Sequence, residues 1–249
     1  MLKQIHSHKL SLVVPACNQA KTIVKDIKMI EQTLVQIRYP YEIIIVVDGI
    51  NDGTYQAAKK IKSTLVKVLV YMKNQGKGHA VRLGMSKATG DYVAFIDSGM
   101  EIDPNGISML LEHLEWYDAD VIVGSKRHPV SFVAYPTTRK ILSWGYYTLV
   151  RLFFRLNVKD TQAGLKIYKR KVLDKILPRL VVKRYAFDLE MLAVARHFGF
   201  KRIYEAPIKL QYNFDDLTHA ATIRTVWSIL LDTLAIFYRL YILRYYDST

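Results

Sequence analysis

Cysteine is almost absent. Cys17 stands alone in 249 residues, which excludes an intramolecular disulfide framework and points to a reducing compartment. Long apolar runs are missing too: no stretch reaches the roughly 18 uninterrupted apolar residues of a membrane-spanning helix. The start is too polar for a signal peptide, with Lys3, His6, His8 and Lys9 ahead of the first apolar run. Acids are scarce. There are 22 Asp and Glu against 36 Lys and Arg, a net charge of +14, and no acid at all from Val121 to Lys159. A surplus of that size favours anionic partners such as phosphates, nucleic acid or a lipid surface, unless it is only a solvated basic face.

What is present is an alternation of short apolar runs with helical spacings. Leu10 to Pro15, Glu42 to Val47, Val66 to Met72, Asp91 to Ile96 and Asp120 to Val123 read as strands. Thr22 to Ile37, a segment opened by Asn51 to Thr54, Gly76 to Lys87 and Asn105 to Trp116 read as helices. Strands alternating with helices predict an α/β fold with a mostly parallel sheet, and the continuous apolar strands predict that both faces are covered. In such sheets ligands bind beyond the carboxyl ends of the strands. Those ends carry Pro15 to Asn18, Asp48-Gly49, Asn74 to Gly78 and Asp97 to Gly99.

Each acid there has a plain structural reading beside a functional one. Asp48 suits a turn, Asp52 a helix cap, and Asp103, before Pro104, a helix start. Asp97 directly follows a buried strand, where a carboxylate is costly unless paired or coordinated, so a functional role is the better reading. The Gly76-Lys77-Gly78 turn could offer amides and an ammonium to an anion. It matches neither GxGxxG nor a Walker A, however, and taken alone a plain strand–helix turn fits better.

Taken together, Val13 to Asn18, Val47 to Thr54, Asn74 to Gly78 and Phe95 to Asp97 resemble the family 2 glycosyltransferases, which have the GT-A fold. Gly124 to Arg127, Arg139 to Ser143, Asp160 to Lys166 (DTQAGLK) and Phe187 to Glu190 resemble the dolichyl-phosphate mannosyltransferase and polyprenyl-phosphate glycosyltransferase branch. The resemblance implies an inverting enzyme that moves a sugar from a UDP- or GDP-sugar to a polyprenyl phosphate. It implies a glycosyltransferase domain over residues 1–215, with a nucleotide-sugar half (10–124) and an acceptor half (125–215) holding an amphipathic helix at 137–156; residues 216–249 would form a C-terminal amphipathic helix. Pro15, Asn18, Gln19, Asp48, Lys77 and Asp97 would hold the nucleotide-sugar. Asp97 and Glu101 would hold Mg²⁺ or Mn²⁺, weakly until a nucleotide completes the shell. Lys126, Arg127, Arg139 and Gln162 would bind the acceptor phosphate, since arginine holds phosphate bidentately. Asp97, Asp160 and Arg139 would form the catalytic group. Asp160 is read as a positioning residue as readily as a base, because a phosphate monoester is already anionic near neutral pH. Asp188 and Glu190 lie two apart, so at most one faces the site, and Asp188 is preferred.

The chain departs from the family pattern at Gln19, Val47, Ile50 and Gly99; Gly99 replaces the second acid of the usual DxD. The alternative reading is therefore a degenerate homologue that binds nucleotide-sugar or lipid phosphate without turnover. Ile141 to Leu156 and residues 223–246 have helical amphipathic spacing, rich in aromatics. The first suits the headgroup region of an anionic membrane. The second suits either that or packing on the domain, on another copy or on a membrane partner subunit. The resulting location is peripheral, at the cytoplasmic face of a membrane. Nucleic acid is not an expected partner, because the basic residues sit beside aromatic helices and no nucleic-acid motif occurs.

Overall fold

The computed structural model describes residues 7–131, 137–184, 186–210 and 223–248; in the helices that start at Thr137 and Ile223, side chains are described from Trp144 and Trp227 onward. The strands are β1 (Leu10–Ala16), β2 (Tyr41–Asp48), β3 (Val66–Tyr71), β4 (Tyr92–Ile96), β5 (Val121–Ser125), β6 (Leu165–Lys169) and β7 (Ile203–Pro207). The helices are α1 (Ile23–Leu34), α2 (Thr54–Ala58), α3 (Lys77–Lys87), α4 (Gly106–Trp116), α5 (Thr137–Phe154), α6 (Arg170–Ile176), α7 (Phe187–His197) and α8 (Ile223–Phe237). Each run read as a strand is one, within two residues at either end.

Alternate strand residues serve opposite layers, which is why the runs look continuously apolar. Leu12, Val14, Ile43, Ile45, Val47 and Ile96 pack with Ile23, Ile27 and Ile30 of α1 and with Leu110, Leu111 and Leu114 of α4. Val13, Ile44, Val46, Val93 and Phe95 pack on the other face with Ala80, Val81 and Met85 of α3 and the apolar residues of α7.

Seven strands form one sheet in the order β3-β2-β1-β4-β6-β5-β7. All run parallel except β6, which is antiparallel to both β4 and β5. This strand has no apolar run to betray it: its sequence is LKIYK. Its reversed direction decides the layout of the site. Leu165, at its start, pairs with Ile96, at the end of β4. The segment entering β6 therefore lies at the same edge of the sheet as the carboxyl ends of β1, β2, β4 and β5.

The expectation of one helix across 223–246 is corrected. α8 stops at Phe237 and widens into a π turn over Tyr238–Ile242; Arg244, at φ 49°, then reverses the chain. The reversal buries Tyr246, whose hydroxyl donates to Glu190 and whose carbonyl accepts from Arg179 Nε at 3.1 Å. The stripe splits accordingly: Phe237 packs on Phe153 with ring centroids 4.8 Å apart, while Trp227, Leu234 and Tyr241 are exposed. The domain boundary expected at 215 lies outside the described residues.

Candidate functional site

Two openings lie side by side at this sheet edge. The larger, about 260 Å³, is lined by Pro15, Ala16, Cys17, Asp48, Lys77, Asp97, Ser98 and Glu101. It gathers the ends of β1, β2 and β4 and the start of α3.

Asp97 is its centre. The Asp97 amide donates to the Gly164 carbonyl at 2.9 Å, extending the β4–β6 ladder by one rung. Its carboxylate meets the Lys77 ammonium, with Nζ 2.5 Å from Oδ1 and 2.7 Å from Oδ2. A Cβ on Gly164 would lie 2.1 Å from Asp97 Oδ2, so only glycine fits beneath this carboxylate. Burial works against the Lys77 charge, but Asp97, Asp188 and Glu101 outweigh it and hold the ammonium above the usual lysine pKa.

A second ion pair lies under the first. Lys166, fully buried, donates to Asp188 and, at 2.7 Å, to the Ala163 carbonyl, and its ammonium sits 5.2 Å from the centre of the Phe95 ring. Burial lowers the Lys166 pKa and raises that of Asp188, each opposed by the partner's charge. The expectation for α7 is thereby corrected. Asp188 serves the foundation of the site and does not line the opening. Glu190 turns away to the Val181 and Val182 amides and the Tyr246 hydroxyl.

Other donor-side expectations fare unevenly. Pro15, Asp48 and Lys77 line the opening; Asn18 and Gln19 stand outside its wall. The Asp48 carboxylate is filled from within, by the Gln75 and Gly76 amides at 2.7 and 3.0 Å and the Tyr71 hydroxyl at 2.7 Å. It shapes the turn before α3, and that turn's own glycines pack against the Lys183 carbonyl and Phe187. Asp52 accepts from the Thr54 amide at 2.9 Å, as a cap would, and also from the Asn18 amide. The Gln19 side chain accepts from Thr22 at 2.5 Å, at the start of α1. Asp103 accepts from the Asn105 amide and side chain, ahead of α4. Cys17, just after β1, lines the opening, as the strand-end reading of Pro15 to Asn18 expected. Burial, with Asp52 and Asp48 nearby, raises its thiol pKa and keeps it un-ionised.

The metal set is thin. Among the described residues no group of three His, Cys, Asp or Glu side chains could hold a metal ion. Asp97 and Glu101 are the two carboxylates of the opening that the protein does not fill by amides. Gly99, at φ 90°, lies in the left-handed region with Met100 behind it at φ 56°. An aspartate at 99 would be strained there, so restoring the DxD acid is not a simple route to a stronger metal site.

The smaller opening, about 70 Å³, is lined by Arg127, Tyr146, Tyr147, Val150, Val158, Lys159, Asp160, Thr161 and Gln162. Arg127 Nη1 donates to the Lys159 carbonyl at 3.1 Å, and Asp160 Oδ2 accepts the Lys126 amide at 3.1 Å. Glu205 of β7 fixes the Lys159 and Asp160 amides at 2.9 and 3.1 Å. Gln162 Nε2 is buried with no hydrogen-bond partner among the described residues. Burial raises the Tyr146 pKa to about 12, against contacts to Thr233 and Gln162. Lys126 is not among the residues that line this opening. The Arg139 side chain lies outside the described residues. Arg151 and Arg155 are exposed, as a solvated face requires.

Residues 11–177 match the sequence profile described as Glycosyl transferase family 2. The chain belongs to that family. It is 33% identical over 215 residues to a dolichyl-phosphate beta-glucosyltransferase of Drosophila melanogaster, covering 79% of this chain and 65% of the relative. It is 32% identical over 202 residues to the enzyme of that name from Dictyostelium discoideum, covering 75% and 62%. The chain thus spans less than two thirds of these relatives' length. Among solved structures it resembles mannosyl-3-phosphoglycerate synthase from Rubrobacter xylanophilus, with a TM-score of 0.69 at 19% identity over 95% of this chain and 75% of that one. It also resembles glucosyl-3-phosphoglycerate synthase from Mycobacterium tuberculosis in complex with Mn²⁺, UDP-glucose and phosphoglyceric acid, with a TM-score of 0.67 at 18% identity over 93% and 80%. The fold is GT-A, as the sequence resemblance implied.

Proposed function

We propose that this chain is an inverting glycosyltransferase that moves a sugar from a UDP- or GDP-sugar to a polyprenyl phosphate at an anionic membrane surface. One observation carries the reading beyond family membership. The β6 entry segment places Gly164 under Asp97 in the larger opening while Asp160 and Gln162 line the smaller one. One short motif therefore joins two polar openings at the sheet edge where α/β proteins bind ligands.

In this reading the larger opening takes the donor. Pro15 and Asp48 form its floor, with Asn18 and Gln19 behind, and Lys77 faces the diphosphate. Asp97 and Glu101 are carboxylates of the kind that hold Mg²⁺ or Mn²⁺ together with substrate phosphates. Such an ion, when bound, offsets charge on the leaving diphosphate. The smaller opening takes the acceptor head. Arg127, with Lys126 and Arg139 near it in sequence, holds the phosphate, and the Gln162 amide, beside the Tyr146 hydroxyl, has a donor to give it. Asp160 needs no proton from an acceptor that is already anionic; tied to the Lys126 amide, it positions the basic loop.

Membrane contact rests on exposed apolar side chains beside the acceptor opening. Trp144, Leu152, Trp227, Leu231 and Ile242 are each more than 60% exposed. Among the described residues no helix is long and apolar enough to cross a membrane; the place we propose is peripheral, at the cytoplasmic face. The intact Asp97–Lys77 cleft and the likeness to curated glucosyltransferases favour a working enzyme over a degenerate homologue. The test is to incubate the protein with a panel of UDP- and GDP-sugars, a short polyprenyl phosphate and Mg²⁺, and to look for glycolipid by mass. Product from one donor is expected. Nucleotide binding with no product from any donor would restore the degenerate reading.

A further inference from the structure

The ion pair inside the donor opening has a consequence for how the opening fills. Asp97 is the one carboxylate at the centre of the cleft, and both its oxygens lie within 2.7 Å of the Lys77 ammonium. Lys77 is held there from several sides. It opens α3, whose preceding turn is pinned by Asp48, and its ammonium lies 5.5 and 5.6 Å from the ring centres of Phe95 and Phe187. Gly164 closes the underside of the carboxylate, so Asp97 cannot retreat from the lysine in that direction. Where the family carries a second acid there is Gly99, and Glu101 stands at the exposed rim. A divalent ion arriving alone would therefore meet one carboxylate already neutralised and one in solvent. Two cations cannot share the same oxygens at these distances without strong repulsion.

We propose that Lys77 is a built-in counter-ion that keeps divalent metal off Asp97 until a nucleotide diphosphate arrives. The inference rests on the donor assignment above and deepens it. The diphosphate would supply the negative charge that lets both cations stay: the Lys77 ammonium would pass from Asp97 to the diphosphate, and Asp97 would be freed to hold the metal. Metal and donor thus enter as one unit, because each lacks a full set of partners without the other.

The test uses Mn²⁺ alone, then a nucleoside diphosphate, on the full chain, read by calorimetry and by the Mn²⁺ spin-resonance signal. Wild type should take up Mn²⁺ weakly without nucleotide. Lys77→Met should bind nucleotide-free Mn²⁺ tighter by about tenfold or more, the scale of removing one charge-assisted contact, and should bind nucleoside diphosphate more weakly. A lysine that merely supported the fold would weaken both when removed. The double variant Lys77→Met, Asp97→Asn should lose the gained Mn²⁺ site. Lys77→Gln, which keeps a polar head, repeats the measurement if the methionine variant unfolds. Nucleotide-free Mn²⁺ affinity no tighter in the variants than in wild type overturns the proposal. Failure of the donor assignment reads differently: wild type would then bind no nucleoside diphosphate under any metal condition.

Discussion

The openings proposed for donor and acceptor share one sheet edge, yet they are built by different means. The donor opening is made of turns that follow parallel strands, and each turn is tied by long-range bonds from backbone amides: the Gln75 and Gly76 amides to the Asp48 carboxylate, the Asn18 amide to the Asp52 carboxylate, and the Asp97 amide to the Gly164 carbonyl. The acceptor opening is walled by α5, and α5 rests on α8 through Tyr146–Thr233 at 3.2 Å and Phe153–Phe237. Both helices leave large apolar side chains in solvent. In the proposed reading, chemistry common to many donors is set in the sheet, and contact with a long lipid would fall to helices whose outer faces leave large apolar side chains uncovered.

Substitutions can separate the two openings. The largest effect should come from the shared foundation. Asp188→Ala leaves the Lys166 charge buried and unpaired, which should cost about 3–5 kcal/mol of stability. Thermal unfolding would show it, with both substrates bound less well in whatever remains folded. Asp97→Asn should leave the fold alone and cut transfer by about 100-fold or more through lost electrostatic organisation; steady-state rates check it, and acceptor KM should hardly move. Arg127→Ala should do the reverse, raising the acceptor KM by about tenfold for one charge-assisted contact while nucleoside diphosphate affinity stays as in wild type. Equal effects of these two variants on both substrates would erase the distinction between the openings. The smallest effect should come from Trp144→Ser with Leu152→Ser. Each should lower the salt-resistant part of binding to anionic vesicles by about tenfold or less, as sedimentation at rising salt would measure. Phe153 and Phe154 are poor choices for that test, because Phe154 is buried in the core and Phe153 packs against it.

Much of the donor side was legible in the sequence. Strands covered on both faces announce themselves as apolar runs, and an acid directly after one, Asp97, is conspicuous. Asp103 and Asp52 behave as helix-start and cap residues because their partners lie two residues on. What escaped was decided at long range. Asp48 reads as a turn residue until Gln75 and Gly76 fold onto it. β6 carries two lysines in five residues, a pattern that looks exposed until Asp188 is seen waiting for Lys166. The C-terminal stripe has good helical spacing, yet burying Tyr246 against Glu190 overrides it. The glycine of DTQAGLK could be recognised as part of a motif, but its reason, the Asp97 carboxylate above it, exists only once β6 runs antiparallel beside β4.

That glycine gives the sharpest test of the central claim, that one motif builds both openings. Gly164 lies in the acceptor motif but touches the donor carboxylate. Titrating a nucleoside diphosphate with Mg²⁺ into wild type and into Gly164→Ala, with folding followed by thermal unfolding, isolates the point. The variant's methyl group must displace Asp97, and a shift of about 1 Å at a reacting site can cost about 100-fold. The account predicts a folded variant whose diphosphate affinity and transfer rate fall together while Arg127-dependent acceptor binding survives. Wild-type diphosphate affinity in folded Gly164→Ala would contradict it.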